Sequence, residues 1–185
     1  MDCGDRRPVI VVSGQPGSGK STYARRLAKD MNLRYYTTGQ AFRELSERLG
    51  VSLVKLNEMA ETDPSIDLEI DRAALREAEK GCVVIDSHLA GWMLRELADV
   101  AIYVKASLPE RARRIATRDS KPYEEALMEA SRREASHWVR FLSYYGVDIR
   151  DLSGFDLILD TTRIGVEEAY GIILTFVKNL LGVVR

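Results

Sequence analysis

The sequence predicts an α/β protein built on a five-stranded parallel sheet flanked by helices. Three observations carry that prediction. Short apolar runs alternate with longer stretches of helical period, the pattern of strands joined by helical crossovers. The runs are nearly continuous in Val, Ile and Leu, as strands buried on both faces are. The first run leads at once into GQPGSGKS, positions 14 to 21, a flexible stretch set between two ordered ones.

The elements follow in order. Residues 9 to 13 (VIVVS) read as the first strand, and Ser21 to Met31 as the helix after the glycine loop. Arg34 to Thr37 is a short second strand. Phe42, Leu45 and Leu49 fall at i, i+3 and i+7 of a helix that Gly50 interrupts. Leu53, Leu56 and Ala60 then resume the same spacing. Asp63-Pro64 opens the next helix as cap and first residue, and Lys80-Gly81 closes it. Three buried strands are expected at Cys82 to Asp86, Val100 to Ala106 and Phe155 to Asp160. Further helices are expected at Pro109 to Thr117, Pro122 to Tyr145 and Val166 to Leu181. No repeat, low-complexity tract or linker divides the chain, so one domain over residues 1–185 is expected.

Composition narrows the function. With 45% hydrophobic and 30% charged residues the chain reads as an ordinary globular protein, and 185 residues suffice for a substantial core. A formal net charge of -1 argues against a general nucleic-acid binder, which would be strongly basic. No apolar run reaches the roughly 20 residues of a membrane span, and the polar start lacks a signal-peptide core. Two cysteines, Cys3 and Cys82, make a poor disulfide framework, and with two histidines they leave no metal-ligand spacing. A cytoplasmic, reduced protein with no membrane partner is expected.

The spacing G-x-x-x-x-G-K-S is met by Gly14, Gly19, Lys20 and Ser21. Glycines allow the backbone to curl until successive N–H groups point at one anion. The helix that follows adds its positive N-terminal end. Gln15, Pro16, Gly17 and Ser18 complete the loop and Thr22 follows it. Lys20 has the reach for β and γ phosphates, and the Ser21 hydroxyl for Mg²⁺. The expected ligand is a nucleoside triphosphate with Mg²⁺. Asp86, at the carboxyl end of a strand, has the position of a second acidic group behind Mg²⁺, acting through water.

The segment YTTGQAFR, positions 36 to 43, resembles the T-G-D-x-x-R stretch of nucleoside monophosphate kinases, a family with the P-loop NTPase fold. The resemblance implies that Thr38 and Gly39 lie beside an acceptor nucleotide and that Arg43 binds its phosphate. A guanidinium suits that task, because its planar fork meets a phosphate with two hydrogen bonds. TGQAFR, TDPSIDLEIDR (62 to 72), DSHLAGW (86 to 92), YYGVD (144 to 148) and DLILDTT (156 to 162) together are similar to the archaeal-type cytidylate kinases. That narrower likeness covers nearly the whole chain. It implies an acceptor-binding segment at about 38–80, a lid at about 118–146, and Arg72 and His88 as acceptor contacts. Two residues depart from the pattern: His88 stands where many relatives have Arg, and Gln40 where Asp is commoner. Asp63, Asp67 and Asp71 recur every fourth residue. Such a row can receive the amino group of a base, or can pair with Arg72 and Arg76 on a solvated face.

Seven arginines lie between positions 111 and 140. The lid resemblance gives Arg118, Arg133 and Arg140 to phosphate. Arg111, Arg113 and Arg132 are expected to pair with glutamates such as Glu124, Glu129 and Glu134, and His137 to sit on the lid surface. Trp138, Phe141 and Tyr145 are expected to form an apolar stripe facing the core. The implied reaction moves the γ-phosphate of ATP to CMP or dCMP, in a monomer acting on small molecules. UMP or AMP as acceptor, or slow ATP hydrolysis by a regulatory or RNA-processing factor, are the alternatives.

Overall fold

A computed structural model describes residues 7–182. Among them, five parallel strands form one sheet in the order β2-β3-β1-β4-β5. In chain order the strands are β1 (Val9–Gly14), β2 (Arg34–Thr37), β3 (Val83–Asp86), β4 (Val100–Lys105) and β5 (Leu157–Asp160). The helices are α1 (Lys20–Asp30), α2 (Thr38–Leu49), α3 (Leu53–Ala60), α4 (Pro64–Glu79), α5 (Ala90–Met93), α6 (Leu108–Asp119), α7 (Tyr123–Tyr145) and α8 (Val166–Leu180).

β1 is central, and every one of its residues is buried. It runs in register with β3 (Val12 beside Asp86) and with β4 (Val12 beside Ile102). Alternate side chains enter two cores. Ile10 and Val12 join Leu27, Ile102, Ile173 and Val177 on the side covered by α1 and α8. Val9 and Val11 join Ala74, Ile85, Leu94 and Phe155 on the side covered by α4 and α5. This two-sided burial is why the strands read as unbroken apolar runs.

Local chemistry sets the boundaries of the helices. The Thr37 side chain accepts from Gly39 N, so α2 begins at Thr38, four residues earlier than its apolar spacing suggests. Ser52 caps α3 by accepting from Lys55 N. Asp63 caps α4 by accepting from Ser65 N, with Pro64 in the first turn. Leu45, Leu56, Ala60, Ile66 and Ile70 pack α2, α3 and α4 into a small core of their own.

Three expectations are corrected. The strand expected to be buried at Phe155 to Asp160 is an edge strand over Leu157–Asp160, with alternate residues exposed and Ile158 at 44%. Among the described residues β5 pairs only with β4, and no strand lies on its other side. A short helix, α5, was not expected, because four residues are too few to show a period. Cys82 is disulfide-bonded, against the expectation of reduced cysteines; Cys3 lies outside the described residues.

Candidate active site

The glycine loop joins the carboxyl end of β1 to the first turn of α1, at the edge of the sheet where β3 and β4 also end. Gly14 has φ +155°, and a Cβ there would stand 2.1 Å from the Val104 carbonyl oxygen, so the neighbouring strand admits only glycine. Gly19, at φ +95°, caps α1 with no side-chain hydrogen bond, leaving the helix N-terminus open to an anion. Ser18 is fully buried and its Oγ has no hydrogen-bond partner.

The loop is braced from beneath by two arginines. Arg111, only 2% exposed, donates to the carbonyls of Pro16 (3.2 Å) and Ala106 (3.0 Å) and to Glu134 (2.6 Å). Glu134 also accepts from Gln15 Nε2 at 2.8 Å, which ties α7 to the loop. Arg114 donates to Ser18 O at 3.0 Å, to Thr161 O at 2.7 Å and to Glu110 at 2.8 Å. Arg111 does pair with Glu134, as expected, but as a buried strut. Arg113 pairs with Glu110 on the surface.

Lys20 and His88 meet over the loop. His88 Nδ1 lies 2.8 Å from Gly14 O, which requires an N–H at Nδ1 and leaves Nε2 as an acceptor, 3.4 Å from Lys20 Nζ. The His137 ring lies 4.4 Å from that of His88 and stacks on Phe141 at 5.2 Å. Burial, followed by the positive charge of Lys20, holds His88 well below the usual imidazole range. Burial, then Arg133 and Arg140, does the same to His137. The expectation of a surface His137 is therefore overturned: it is 7% exposed, wedged between a ring and a ring. Burial also lowers Lys20 to about 8, with Asp86 opposing and Arg133 and Arg118 adding to the shift.

Asp86 is 2% exposed. Its Oδ2 accepts from Tyr35 OH at 2.8 Å, while Oδ1 has no hydrogen-bond partner. A buried carboxylate oxygen left open beside Lys20 suits a hydrated cation. Ser21 follows Lys20 in the first turn of α1, half-buried, and Thr22 is exposed.

On the acceptor side, Thr38 is buried, while Gly39, Arg43 and Arg72 are exposed. Arg43 Nη1 lies 3.7 Å from where a Cβ on Gly39 would stand, so the two sit together at the start of α2. Arg72 faces solvent on α4. The expected row of three aspartates divides into three tasks: Asp63 caps α4, Asp67 lies 3.3 Å from Arg140 Nε, and Asp71 accepts from Tyr145 OH at 2.6 Å.

Each lid arginine lies against a carboxylate, though Arg118 and Arg133 both lie near enough to Lys20 to act on its charge. Arg118 is exposed and pairs with Asp119 (2.6 Å), Arg133 is half-buried near Glu129 (3.4 Å), and Arg140 is 4% exposed against Asp67. Trp138 does not face the core as expected: it is 36% exposed, with the Arg150 guanidinium 4.6 Å over its ring. Tyr144 OH reaches the carbonyls of Ala60 (3.0 Å) and Glu61 (2.8 Å), joining α7 to the acceptor segment. A cavity of about 480 Å³ lies between α7, α5 and the outer lip of the loop, walled by Trp92, Tyr103, Trp138 and Phe141. Sequence reasoning missed Tyr35, the tie from Glu134 to Gln15 and the bracing role of Arg111. Each depends on a partner distant in the chain, which no local spacing reveals.

Residues 9–163 match the model of the cytidylate kinase-like family. The chain is 53% identical over 159 residues to the cytidylate kinase of Ignicoccus hospitalis, covering 86% of this chain and 92% of that one. It is 51% identical over 164 residues to the cytidylate kinase of Aeropyrum pernix, covering 89% and 95%. Among solved structures, shikimate kinase from Bacteroides thetaiotaomicron superposes with a TM-score of 0.61, covering 95% of this chain and 98% of that one. At 13% identity this last likeness speaks to the fold alone.

Proposed function

The chain belongs to the cytidylate kinase-like family, and from that premise we infer that it transfers the γ-phosphate of ATP to CMP, giving ADP and CDP. The observation that carries the reading is the meeting at Lys20. A lysine at an open helix N-terminus, with an orphaned buried carboxylate and two arginines acting on it, suits a polyphosphate far better than a neutral ligand.

In this reading the backbone N–H groups of the loop from Gly14 through Thr22, all but that of Pro16, which has none, cradle the ATP phosphates, and Lys20 neutralises the β and γ oxygens. Ser21 and, through water, Asp86 hold Mg²⁺, which when bound screens charge on the β and γ phosphates. The open Asp86 Oδ1 supports this assignment. Arg43, with Thr38 and Gly39, takes the phosphate of CMP, and Arg72 and His88 line the acceptor side. Arg118 and Arg133 swing onto the moving group as the lid closes, leaving Asp119 and Glu129 behind. Arg140 completes the cationic row from deeper in the cleft. No general base is needed, because the CMP phosphate is already ionised near neutral pH. Catalysis then rests on holding two anions in line and excluding water.

A coupled assay over CMP, dCMP, UMP and AMP tests the reading. CMP is expected to give the highest kcat/KM, with ATP hydrolysis in the absence of acceptor far slower than transfer. A preference for AMP, or hydrolysis faster than transfer, would overturn it.

A further inference from the structure

Alternation along two adjacent strands brings Tyr35 and Asp86 to one face of the sheet. Tyr35 packs against the core under α1 and α8, and Tyr36 against the opposite one. In β3, Val84 enters the first core and Ile85 the second, so Asp86 returns to the side of α1. β2 and β3 run in parallel register, with Tyr35 beside Val84 and Thr37 beside Asp86. Lys20 opens α1, the helix that covers this face.

Two opposite charges therefore come close together. Asp86 lies near enough to act on the charge of Lys20. Attraction between such groups is strong away from water, and side chains free to move would close on each other. In this chain they stay apart. Among the described residues no ion pair joins them, and each is held by a neutral neighbour. Lys20 Nζ lies 3.4 Å from His88 Nε2, and Asp86 Oδ2 accepts from Tyr35 OH at 2.8 Å. The carboxylate is 2% exposed, yet its Oδ1 has no hydrogen-bond partner, although a lysine is at hand to supply one. The Tyr35 ring is itself pinned, with the Arg25 guanidinium of α1 5.5 Å from its centre.

We propose that Tyr35 is a positioning residue that keeps Asp86 from closing on Lys20; this rests on the reading of Asp86 as the carboxylate behind Mg²⁺. The lysine then stays available to phosphate, and Asp86 Oδ1 to the water around the cation. A phenol donates one hydrogen bond and carries no charge, so it fixes one oxygen without neutralising the carboxylate. A lysine or arginine in its place would cancel the charge that draws the cation. Charges that had paired with each other would have to separate before nucleotide and metal could bind. Charges held apart meet their ligands without that rearrangement.

The test is binding of Mn²⁺, standing for Mg²⁺, to the full chain held in excess over ADP, followed by loss of the free ion's EPR signal. Tyr35→Phe removes one hydroxyl and keeps the ring. It should weaken Mn²⁺ binding about tenfold, the effect of losing a partner that orients a metal-site carboxylate, with circular dichroism unchanged. In a Lys20→Met background the same substitution should cost less than about threefold, because the carboxylate then has no cation to close on. A tyrosine that served only to hold β2 against β3 would cost the same in both backgrounds. A loss under about threefold beside Lys20, or of about threefold or more beside Lys20→Met, overturns the inference. Should a variant fail to fold or to hold ADP, the crystal structure of the unaltered chain without nucleotide decides. An Asp86 carboxylate that has left Tyr35 and lies within about 4 Å of Lys20 Nζ overturns it. Asp86→Asn separates the inference from the reading beneath it. If that variant binds Mn²⁺ like the unaltered chain, the reading of Asp86 falls and the inference with it. If it weakens Mn²⁺ binding while Tyr35→Phe does not, the inference alone falls.

Discussion

His88 Nε2 lies 3.4 Å from Lys20 Nζ, while His88 Nδ1 holds the carbonyl of Gly14 at 2.8 Å. One ring thus spans the loop from its first glycine to its lysine. His88→Ala removes the lysine's neutral acceptor and frees the Gly14 carbonyl. kcat/KM for ATP should fall about tenfold, or roughly 1.4 kcal/mol, as for the loss of one hydrogen bond to a charged group. Steady-state kinetics with ATP varied at saturating CMP provides the measurement, and an unchanged value would refute the role.

Lys20→Ala should cost on the order of 3–4 kcal/mol in transition-state stabilisation, the effect of removing a preorganised electrostatic donor. kcat should fall by at least a hundredfold, while the fold persists by circular dichroism. Turnover near that of the unaltered chain would contradict the assignment.

Asp71 gives a pH dependence with a definite sign. Burial raises it from its ordinary 3.8 to about 6, against the Tyr145 hydrogen bond, with Asp67 adding to the rise. The folded chain therefore holds this proton more tightly than the unfolded one. Between about pH 4 and pH 6 that contribution to stability is lost as pH rises, and above about pH 6 the group is a full penalty. Asp71→Asn should match the unaltered chain below about pH 4 and become the more stable of the two above about pH 6. Urea unfolding of both proteins across this range measures the difference, and a constant offset would rule the mechanism out.

Arg111→Met should destabilise the chain by about 2 kcal/mol, because the Pro16 and Ala106 carbonyls lose their donor in a buried place. The loop would loosen with it, so KM for ATP should rise more than KM for CMP. Denaturant titration and kinetics on the same preparation separate the two effects, and equal rises in both KM values would argue against a brace.

Gly91→Ala should destabilise by about 1–3 kcal/mol, as overpacking does. A Cβ at Gly91 would stand 2.1 Å from Phe155, whose ring is held edge-on by Trp92 and Tyr103. A thermal midpoint within a degree of the unaltered value would show that the Phe155 ring yields freely.

The strands and the glycine loop were legible because they follow from local rules. Val9 to Val12 is apolar because both faces are covered, and the loop must be glycine where Val104 O approaches. Lys20, Ser21 and Asp86 could be placed from neighbours in the chain or from the end of a strand. His137 could not, because its burial depends on His88, forty-nine positions away, and on the stack with Phe141. Asp67 carried the same difficulty. A repeat every fourth residue describes a face of α4, and only α7 decides which of the three acids is covered.

α7 is a single uninterrupted rod of 23 residues, and it touches Gln15 through Glu134, Asp67 through Arg140, and Ala60 through Tyr144. A body so stiff has one orientation at a time. Loading either nucleotide therefore sets the posture met by the other, and the two affinities should be reciprocally linked, each ligand tightening its companion by the same factor.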